Sequence, residues 1–467
     1  MIISKLKEYS INKPDTIAYN INNNTITYKK LYTEVEKYGE YLKREGDSPI
    51  IVYGHKSINT FISILSCMYA KRTYIPIDIS IPKERIINII EQSKSKLVLS
   101  ETKLDIDNIN ILSLNELSKY KENDIINIAN NICYIIFTSG STGIPKGVPI
   151  TYDNLYSYIK WLCNIKYIKG YENVLNQANF NFDLSVCDIY YSLYNGYTLV
   201  ALDKTNYTDI EYIYNTIKSN DINLMVSTPT FIRMLLLEPL FNENELTNLK
   251  SILFCGEVLE VSLVKKLYSK FPNINIINAY GPTEATCFVC CTQISKEDID
   301  SSILPVGEID NCNTNIEIID NQIVLSGNQV FNGYLNIESN NYYKNNNINY
   351  FNTKDLGYII NNKLYCTGRD DSQIKLNGYR IELQEIENVI EQFDYINDCI
   401  VVAIKDNNKV KYIKGYITIN KKIDINQLYK ELEKKLPSYM LPKYIDILEE
   451  IPINNNGKID RKVLSNL

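Results

Sequence analysis

The stretch of this sequence that is best suited to chemistry is a short loop of glycines and hydroxyl side chains. The loop consists of Thr138, Ser139, Gly140, Ser141, Thr142 and Gly143, and Lys146 follows shortly after it. Glycines allow backbone N–H groups to converge on an anion, hydroxyls add further donors, and a lysine adds a positive charge. We therefore predict that this loop binds phosphate groups.

The setting of the loop differs from that of the Walker A loop. The Walker motif requires GxxxxGK[ST] at the start of a helix. Here Pro145 precedes the lysine, Gly147 follows it, and the flanking residues 132–138 and 148–150 have the composition of strands. Because Gly/Ser/Thr loops also connect ordinary hairpins, the remaining motifs must decide between the two interpretations.

The stretch from Phe137 to Gly147 resembles the phosphate-loop signature of the adenylate-forming superfamily, which includes acyl-CoA synthetases, luciferases and the adenylation domains of peptide synthetases. Further stretches resemble other motifs of this superfamily, occur in the expected order and extend over essentially the whole chain. They are 73–85, 278–284, 327–334, Asp355, 368–369, 373–383, 436–442 and 456–462. The resemblance implies an enzyme that uses ATP and Mg²⁺ to activate a carboxylate as an acyl-adenylate.

The resemblance also assigns roles to single residues of the ATP site. Tyr280 would stack on adenine, and Thr283 would contact the α-phosphate. Glu284 would bind Mg²⁺, since carboxylate oxygens suit magnesium. Asp355, helped by Arg369, would bind the ribose hydroxyls. Outside the loop, the expected ATP contacts are thus Asn278, Tyr280, Gly281, Thr283, Glu284, Asp355, Arg369 and Lys458.

Two further roles depend on the movement of a C-terminal domain. Lys458 matches the catalytic lysine of the family, which reaches the carboxylate and the α-phosphate in one domain orientation. Asp371 matches the hinge about which the small domain turns after adenylation. In the second orientation, the phosphopantetheine thiol of a carrier protein attacks the adenylate. No carrier domain follows Lys462, so we expect the carrier protein to act in trans.

The stretch from Phe180 to Tyr190 indicates which carboxylate is activated. An aspartate in the pocket, Asp183, can pair with the α-ammonium group of an amino acid, and a buried carboxylate without such a partner would be costly. The alternative is that Asp183 caps a helix. By similarity to adenylation domains, the pocket wall consists of Asp183, Leu184, Cys187, Val226, Leu253, Cys255, Ala279 and Cys287. These mostly apolar groups suit a small uncharged amino acid.

The subfamily with the strongest resemblance is that of the D-alanine–D-alanyl carrier protein ligases of teichoic acid biosynthesis. The resemblance is carried by the stretches 183–186, 227–231 and 254–259. Cys255 matches a cysteine that favours the D-isomer in those ligases. Cys187, Ala279 and Cys287 differ from that pattern and leave alanine, serine, valine and cysteine open, in either hand. The alternatives are a stand-alone adenylation enzyme of nonribosomal peptide synthesis and a nucleotide-binding regulator without catalytic activity.

Other places also depart from the pattern of the family. Lys354 stands where the family has glycine, so the backbone before Asp355 is expected to follow a different path. Residues 314–326 lack the usual Gly-Glu-Leu turn, which predicts a shortened hairpin.

The bulk composition excludes several classes of partner. The 467 residues carry a net charge of −6 with no dense basic run, so we expect no nucleic acid partner. No stretch approaches the roughly 20 apolar residues that span a bilayer, and the N-terminus lacks a signal peptide, which predicts a cytoplasmic protein. The 11 cysteines are scattered, as is typical of reduced thiols. The only histidine, His55, is expected at the surface.

The elements that must position these residues are predicted to form an α/β fold. A strand at 49–53, a helix at 57–70 and a strand at 96–100 alternate, and the pattern recurs at 196–232 and 250–280. Such alternation favours parallel sheets covered by helices.

The predicted domain boundary lies near residue 370, where short strands begin to alternate with helices. We predict a large N-terminal domain, 1–370, of parallel-sheet α/β subdomains with a β-barrel-like piece. A small, mobile C-terminal α+β domain, 371–467, would follow. Asn-rich stretches such as Asn340 to Asn349 are predicted to be surface loops.

Overall fold

The computed structural model of the protein describes residues 1–43, 47–117, 131–140, 144–203, 206, 208–371, 373–406, 409–452 and 461–467. The chain divides into two compact units. The first comprises Met1–Ile79, Ser93–Ile136 and Val148–Asp370, and the second comprises Ser80–Gln92, Phe137–Gly147 and Asp371–Leu467. The second unit therefore contains the phosphate-loop segment in addition to the C-terminal residues.

Helices and strands alternate through most of the chain. The helices are α1 (Ile2–Asn12), α2 (Tyr28–Leu42), α3 (Ile58–Tyr69), α4 (Lys83–Ser93), α5 (Leu114–Leu117), α6 (Tyr152–Leu162), α7 (Leu184–Asn195), α8 (Ile210–Ser219), α9 (Pro229–Leu235), α10 (Val261–Lys270), α11 (Leu383–Ile390), α12 (Ile425–Lys435) and α13 (Arg461–Leu464). The strands are β1 (Ile17–Ile21), β2 (Asn24–Thr27), β3 (Ile50–Tyr53), β4 (Tyr74–Ile77), β5 (Leu97–Ser100), β6 (Asn110–Leu112), β7 (Ile132–Thr138), β8 (Lys146–Thr151), β9 (Asn173–Asn176), β10 (Thr198–Ala201), β11 (Leu224–Ser227), β12 (Ser251–Phe254), β13 (Asn275–Tyr280), β14 (Cys290–Gln293), β15 (Gly307–Glu308), β16 (Asn315–Ile319), β17 (Gln322–Ser326), β18 (Tyr342–Asn345), β19 (Ile348–Ile360), β20 (Lys363–Arg369), β21 (Gln373–Leu376), β22 (Tyr379–Glu382), β23 (Ile396–Asp406), β24 (Lys409–Ile419) and β25 (Tyr444–Ile447). Within the described ranges, no helix has both the length and the apolar character that crossing a membrane would require.

The largest sheet has eight strands in the order β14-β13-β12-β11-β9-β10-β1-β2. The strands from β13 to β1 pair in parallel, and β14 and β2 pair antiparallel at the two edges. Both faces are buried: in β12, Ile252 packs into one hydrophobic cluster and Leu253 into another. Continuously apolar strands of this kind are typical of parallel sheets with helices on both faces. The predicted α/β class is confirmed.

A second sheet, in the order β6-β5-β3-β4-β7-β8, carries the phosphate loop between its last two strands. Lys146, which the sequence suggested as a loop residue, is the first residue of β8. The surface position predicted for His55 is wrong. Its side chain is only 12% exposed, and its Nδ1 lies 2.6 Å from Asp78 Oδ2.

A third sheet is antiparallel and has the order β15-β20-β19-β17-β16, with β18 paired to β19. This sheet is the piece that was expected to resemble a β-barrel. Its end strands, β15 and β16, are not neighbours in the described sheet, so the sheet is open and not closed into a barrel.

Two-residue turns built on asparagine close several hairpins. Both residues of each turn have a positive φ, a conformation that asparagine adopts more readily than other non-glycine residues. The turns are Asn22–Asn23, Asp320–Asn321, Asn346–Asn347, Asn361–Asn362 and Asn377–Gly378. The short hairpin predicted within residues 314–326 is confirmed. The surface loop predicted for Asn340 to Asn349 is wrong, because β18 and β19 pair there.

The C-terminal part of the second unit is α+β. Strands β21 and β22 form a hairpin before α11, β23 pairs antiparallel with β24, and β25 adds to β24 in parallel. Ile381, Ile386, Val401 and Ile417 belong to its own hydrophobic core. A separate core is the property that allows such a unit to behave as a domain.

The Asp320–Asn321 turn allows a test of how far the fold depends on these asparagines. Asn321 is exposed and has a φ of 62°. We expect Asn321→Val to lower the free energy of unfolding by about 1–2 kcal/mol, because a β-branched side chain is strained in left-handed backbone. Asn321→Gly should cause no such loss. Asn345→Val, at an exposed strand position, is the control. It should change the free energy of unfolding, measured in urea, by less than about 0.5 kcal/mol. Equal losses at both positions would contradict this interpretation.

Candidate active site

The carboxyl ends of three neighbouring parallel strands bring predicted pocket residues to one edge of the largest sheet. Val226 lies in β11, Cys255 directly follows β12, and Ala279 lies in β13. The strands are in register, with Val226 beside Leu253. This is the edge at which open α/β sheets bind ligands.

Three thiols and one carboxylate lie near each other at this edge. Cys187, Cys255 and Cys287 are buried. Burial raises the pKa of the Cys287 thiol, and the charge of the nearby Asp183 raises it further. The thiol therefore stays neutral and acts as a small apolar group. Leu184, the first residue of α7, is also buried.

Asp183 stands at the N-cap position of α7, but its carboxylate makes no capping hydrogen bond. Instead, Asp183 Oδ2 accepts a hydrogen bond from Thr283 Oγ1 at 2.7 Å. The capping role that was the alternative for Asp183 is therefore wrong. The residue predicted to pair with the substrate ammonium, Asp183, is thus hydrogen-bonded to the residue predicted to contact the α-phosphate, Thr283.

Tyr280, Asp355 and Arg369, which were predicted to contact adenine and ribose, are connected by hydrogen bonds. Tyr280 Oη donates to Asp355 Oδ2 at 2.6 Å, and Arg369 Nη1 donates to Asp355 Oδ1 at 2.7 Å. Burial raises the pKa of Tyr280, and the Asp355 charge raises it further, so the phenol remains a donor. The backbone at Lys354 is left-handed, with a φ of 62°, a conformation that glycine adopts more readily than lysine.

Close packing of the backbone fixes the segment that follows β13. A Cβ added at Gly281 would lie 2.4 Å from Phe288 Cα and 2.5 Å from Cys287 O. Only glycine allows this approach. Glu284 is fully buried, and Tyr334 Oη donates to its Oε1 at 2.6 Å. Asn278, which was predicted to contact ATP, uses its side-chain Nδ2 to donate to Pro305 O at 2.8 Å.

In the second unit, the start of the phosphate loop contacts the region of α11. Thr138 ends β7. Ser139 Oγ donates to Arg380 O at 2.9 Å, and the Gly140 N–H donates to Glu385 Oε2 at 2.8 Å. Glu385 also forms a buried ion pair with Arg85. A backbone donor predicted to hold phosphate therefore holds a carboxylate in this structure.

Several predicted residues cannot be placed in this way. Ser141, Thr142, Gly143 and Lys458 lie outside the described residues. Asp371 is described, and its Oδ1 accepts the Gln373 N–H at 3.2 Å. The two compact units divide directly before Asp371.

Comparison with protein families identifies this arrangement. A model described as AMP-binding enzyme matches residues 6–335, and a model of the AMP-binding enzyme C-terminal domain matches residues 385–458. The chain belongs to the AMP-binding enzyme family. The family expected from the sequence motifs is thereby confirmed.

Known relatives match this AMP-binding enzyme over nearly its full length. It is 35% identical to a D-alanine–D-alanyl carrier protein ligase of Bacillus licheniformis and 36% identical to one of Bacillus cytotoxicus, with 99% of this chain and 98% of each relative covered. Among solved structures, o-succinylbenzoate CoA synthetase of Bacillus subtilis has a TM-score of 0.85 at 19% identity and covers 99% of this chain and 98% of that one. The Vibrio cholerae adenylation domain AlmE, in complex with glycyl-adenosine-5′-phosphate, has a TM-score of 0.84 at 21% identity, with 100% and 96% covered. At these identities, the structural similarity establishes the fold.

Sequence reasoning missed some residues near the site of this AMP-binding enzyme. Tyr158 of α6 is fully buried beside the thiols of Cys187 and Cys287. Burial raises the pKa of Tyr158, and the two neighbouring thiols raise it further. Among the described residues, Tyr158 Oη has no hydrogen-bond partner of good geometry. Glu385 was also missed. A tyrosine in an apolar helix and a glutamate in a polar one are common, so neither residue gave a signal in the sequence.

The close approach at Gly281 predicts a severe effect of a single methyl group. Gly281→Ala should lower the free energy of unfolding by about 1–3 kcal/mol, because the surrounding atoms are backbone atoms that cannot move aside easily. Gly415→Ala in β24 is the matched control, since its Cβ would meet Ile445 Cγ1 at 3.4 Å, an ordinary contact. Urea unfolding of both variants measures the difference. A neutral Gly281→Ala would contradict the packing described here.

Proposed function

We propose that this enzyme uses ATP to activate a small amino acid, with D-alanine favoured, as an aminoacyl-AMP. It then transfers the aminoacyl group to the phosphopantetheine thiol of a carrier protein in trans. The proposal is supported by the names of relatives that are 35–36% identical over the whole chain. The use of ATP suits a cytoplasmic location, and so does the fact that the described cysteines form no disulfide bonds.

The observation that carries the proposal is the position of Asp183. Its carboxylate lies near Cys287 and is oriented by Thr283, and it does not cap its helix. A carboxylate among neutral thiols can compensate the charge of an α-ammonium group, which water would otherwise have to solvate. A plain fatty or aryl acid has no ammonium group to pair with this carboxylate. The substrate class that fits is therefore an amino acid with a small, uncharged side chain.

The nucleotide would bind beside this carboxylate. The segment that carries Thr283 would contact the α-phosphate, Tyr280 would lie against adenine, and Asp355 with Arg369 would hold the ribose. Glu284 is a hard oxygen donor and fits Mg²⁺, which would neutralise phosphate charge when bound. Among the described residues, no three His, Cys, Asp or Glu side chains cluster as metal ligands. Phosphate oxygens would therefore supply other ligands of the ion.

Attack of the substrate carboxylate on the α-phosphate would make the acyl-adenylate and release pyrophosphate. Negative charge builds on the phosphoryl oxygens during this step, so positioning and cations provide most of the catalysis. Lys458 would approach these oxygens as the catalytic residue. Rotation at Asp371 would then remove Lys458 and admit the carrier thiol.

The alternative substrate is another small amino acid in a nonribosomal peptide pathway. It is favoured by the pocket residues Cys187, Ala279 and Cys287, which leave room for serine, valine or cysteine. The Vibrio cholerae adenylation domain in the comparison carries a glycyl adenylate, and its fold is shared by this chain.

ATP–pyrophosphate exchange with a panel of D- and L-amino acids tests the proposal. We expect exchange with D-alanine to exceed that with every L-amino acid by about tenfold or more. Lys458→Ala is the control and should abolish exchange while the protein stays folded. Preference for an L-residue or glycine would support the alternative. The absence of exchange with every amino acid would contradict both proposed substrates and would support a nucleotide-binding regulator without catalytic activity.

A further inference from the structure

A fully buried lysine lies behind the segment that carries Asp183. Lys56 has no exposed surface, and its Nζ donates hydrogen bonds to Asn176 O at 3.1 Å and to Gln177 O at 2.8 Å. These carbonyls belong to the last residue of β9 and the residue after it. A buried ammonium group is costly unless its hydrogen bonds and its charge are both matched. Lys56 is therefore a candidate for a specific role.

The matching charge is Asp188 in α7, and Asn176 connects it to the lysine. Asn176 Nδ2 donates to both carboxylate oxygens of Asp188, at 3.1 and 3.0 Å. Burial lowers the pKa of Lys56, and the charges of Asp188, Asp78 and Asp203 counteract this effect. Burial raises the pKa of Asp188, which the Asn176 hydrogen bonds and the Lys56 charge oppose. Asn176 thus joins the two buried side chains, because its backbone carbonyl accepts from Lys56 and its side-chain amide donates to Asp188.

This network anchors both ends of the segment from Asn176 to Asp188. The segment leaves the sheet at Asn176 and enters α7 before Asp188, and Asp183 lies between them. Within the segment, Ser185 Oγ donates to Phe182 O at 2.7 Å. Because the two ends are bound to the same lysine-centred network, the position of the Asp183 carboxylate depends on it.

We propose that Lys56, compensated by Asp188, is a positioning residue that sets Asp183 where the α-ammonium of the substrate binds. The inference rests on the proposed function, in which Asp183 pairs with that ammonium. Loss of the Lys56 donors would release the carbonyls of Asn176 and Gln177 and shift the carboxylate. Displacements of about 1 Å are known to cost large factors in enzyme sites. The loss of affinity should be confined to ligands that carry the ammonium group.

The test compares two non-reactive analogues of the adenylate in which a sulfamate replaces the phosphate. One carries a D-alanyl group, and the other carries a propionyl group that lacks only the ammonium. Lys56→Met keeps the length of the side chain but removes its donors and charge. We expect this variant to bind the D-alanyl analogue about tenfold more weakly and the propionyl analogue within about twofold of wild type. Equal effects on both analogues, or no effect on either, would overturn the proposal.

A matched control is available because the chain has a second buried cation. Arg72 is also fully buried, with its Nη1 3.1 Å from Leu42 O, but it lies just before β4 and donates to the carbonyls of Leu42 and Ser48, which are outside the segment. Arg72→Met should leave the ratio of the two affinities unchanged, even if stability falls. A change of this ratio as large as in Lys56→Met would overturn the specific role of Lys56.

A milder variant covers the case in which Lys56→Met fails to fold. Ser185→Ala removes one hydrogen bond inside the same segment and should shift the ratio in the same direction, by about threefold. An unchanged ratio would then overturn the proposal. Failure of the proposed function looks different, because wild-type protein itself would then bind the propionyl analogue as well as the D-alanyl analogue.

Discussion

The hydrogen bond from Thr283 to Asp183 is the interaction on which the account of this enzyme depends. Thr283 belongs to the segment after β13, between Tyr280 and Glu284, and Asp183 directly precedes α7 near the buried thiols. A single hydrogen bond of 2.7 Å therefore joins the segment proposed to bind the nucleotide to the residue proposed to bind the amino acid. In a reaction in which the protein contributes mainly by positioning, this hydrogen bond would set the distance between the two reacting groups.

Much of the framework around this joint could be predicted because local sequence patterns decide it. The alternation of strands and helices predicted the parallel sheets. Similarity to adenylation domains predicted that Val226, Cys255 and Ala279 lie together, and the structure places them at one edge of the largest sheet. The loop from Thr138 was recognised by its composition and its flanking strands. Gly281 occurs in a motif, and its packing against Phe288 explains why no side chain is tolerated there.

What could not be predicted depends on contacts between distant parts of the chain. Lys56 and Asp188 are polar residues in apolar surroundings, and nothing in the local pattern shows that Asn176 connects them. The hydrogen bond from Gly140 to Glu385 is of the same kind. The prediction of a surface loop at Asn340 to Asn349 failed for another reason. Paired asparagines give the same composition to an irregular loop and to a tight hairpin turn. Only the positive φ of both residues distinguishes the two.

A double-mutant cycle on Thr283 and Asp183 tests the central claim most directly. Thr283→Val and Asp183→Asn, alone and together, would be measured for their affinity for the D-alanyl sulfamate analogue of the adenylate. If the hydrogen bond couples the two sites, the effects should be non-additive by about 1 kcal/mol or more. Additive effects would show that the two residues act independently and would contradict the account.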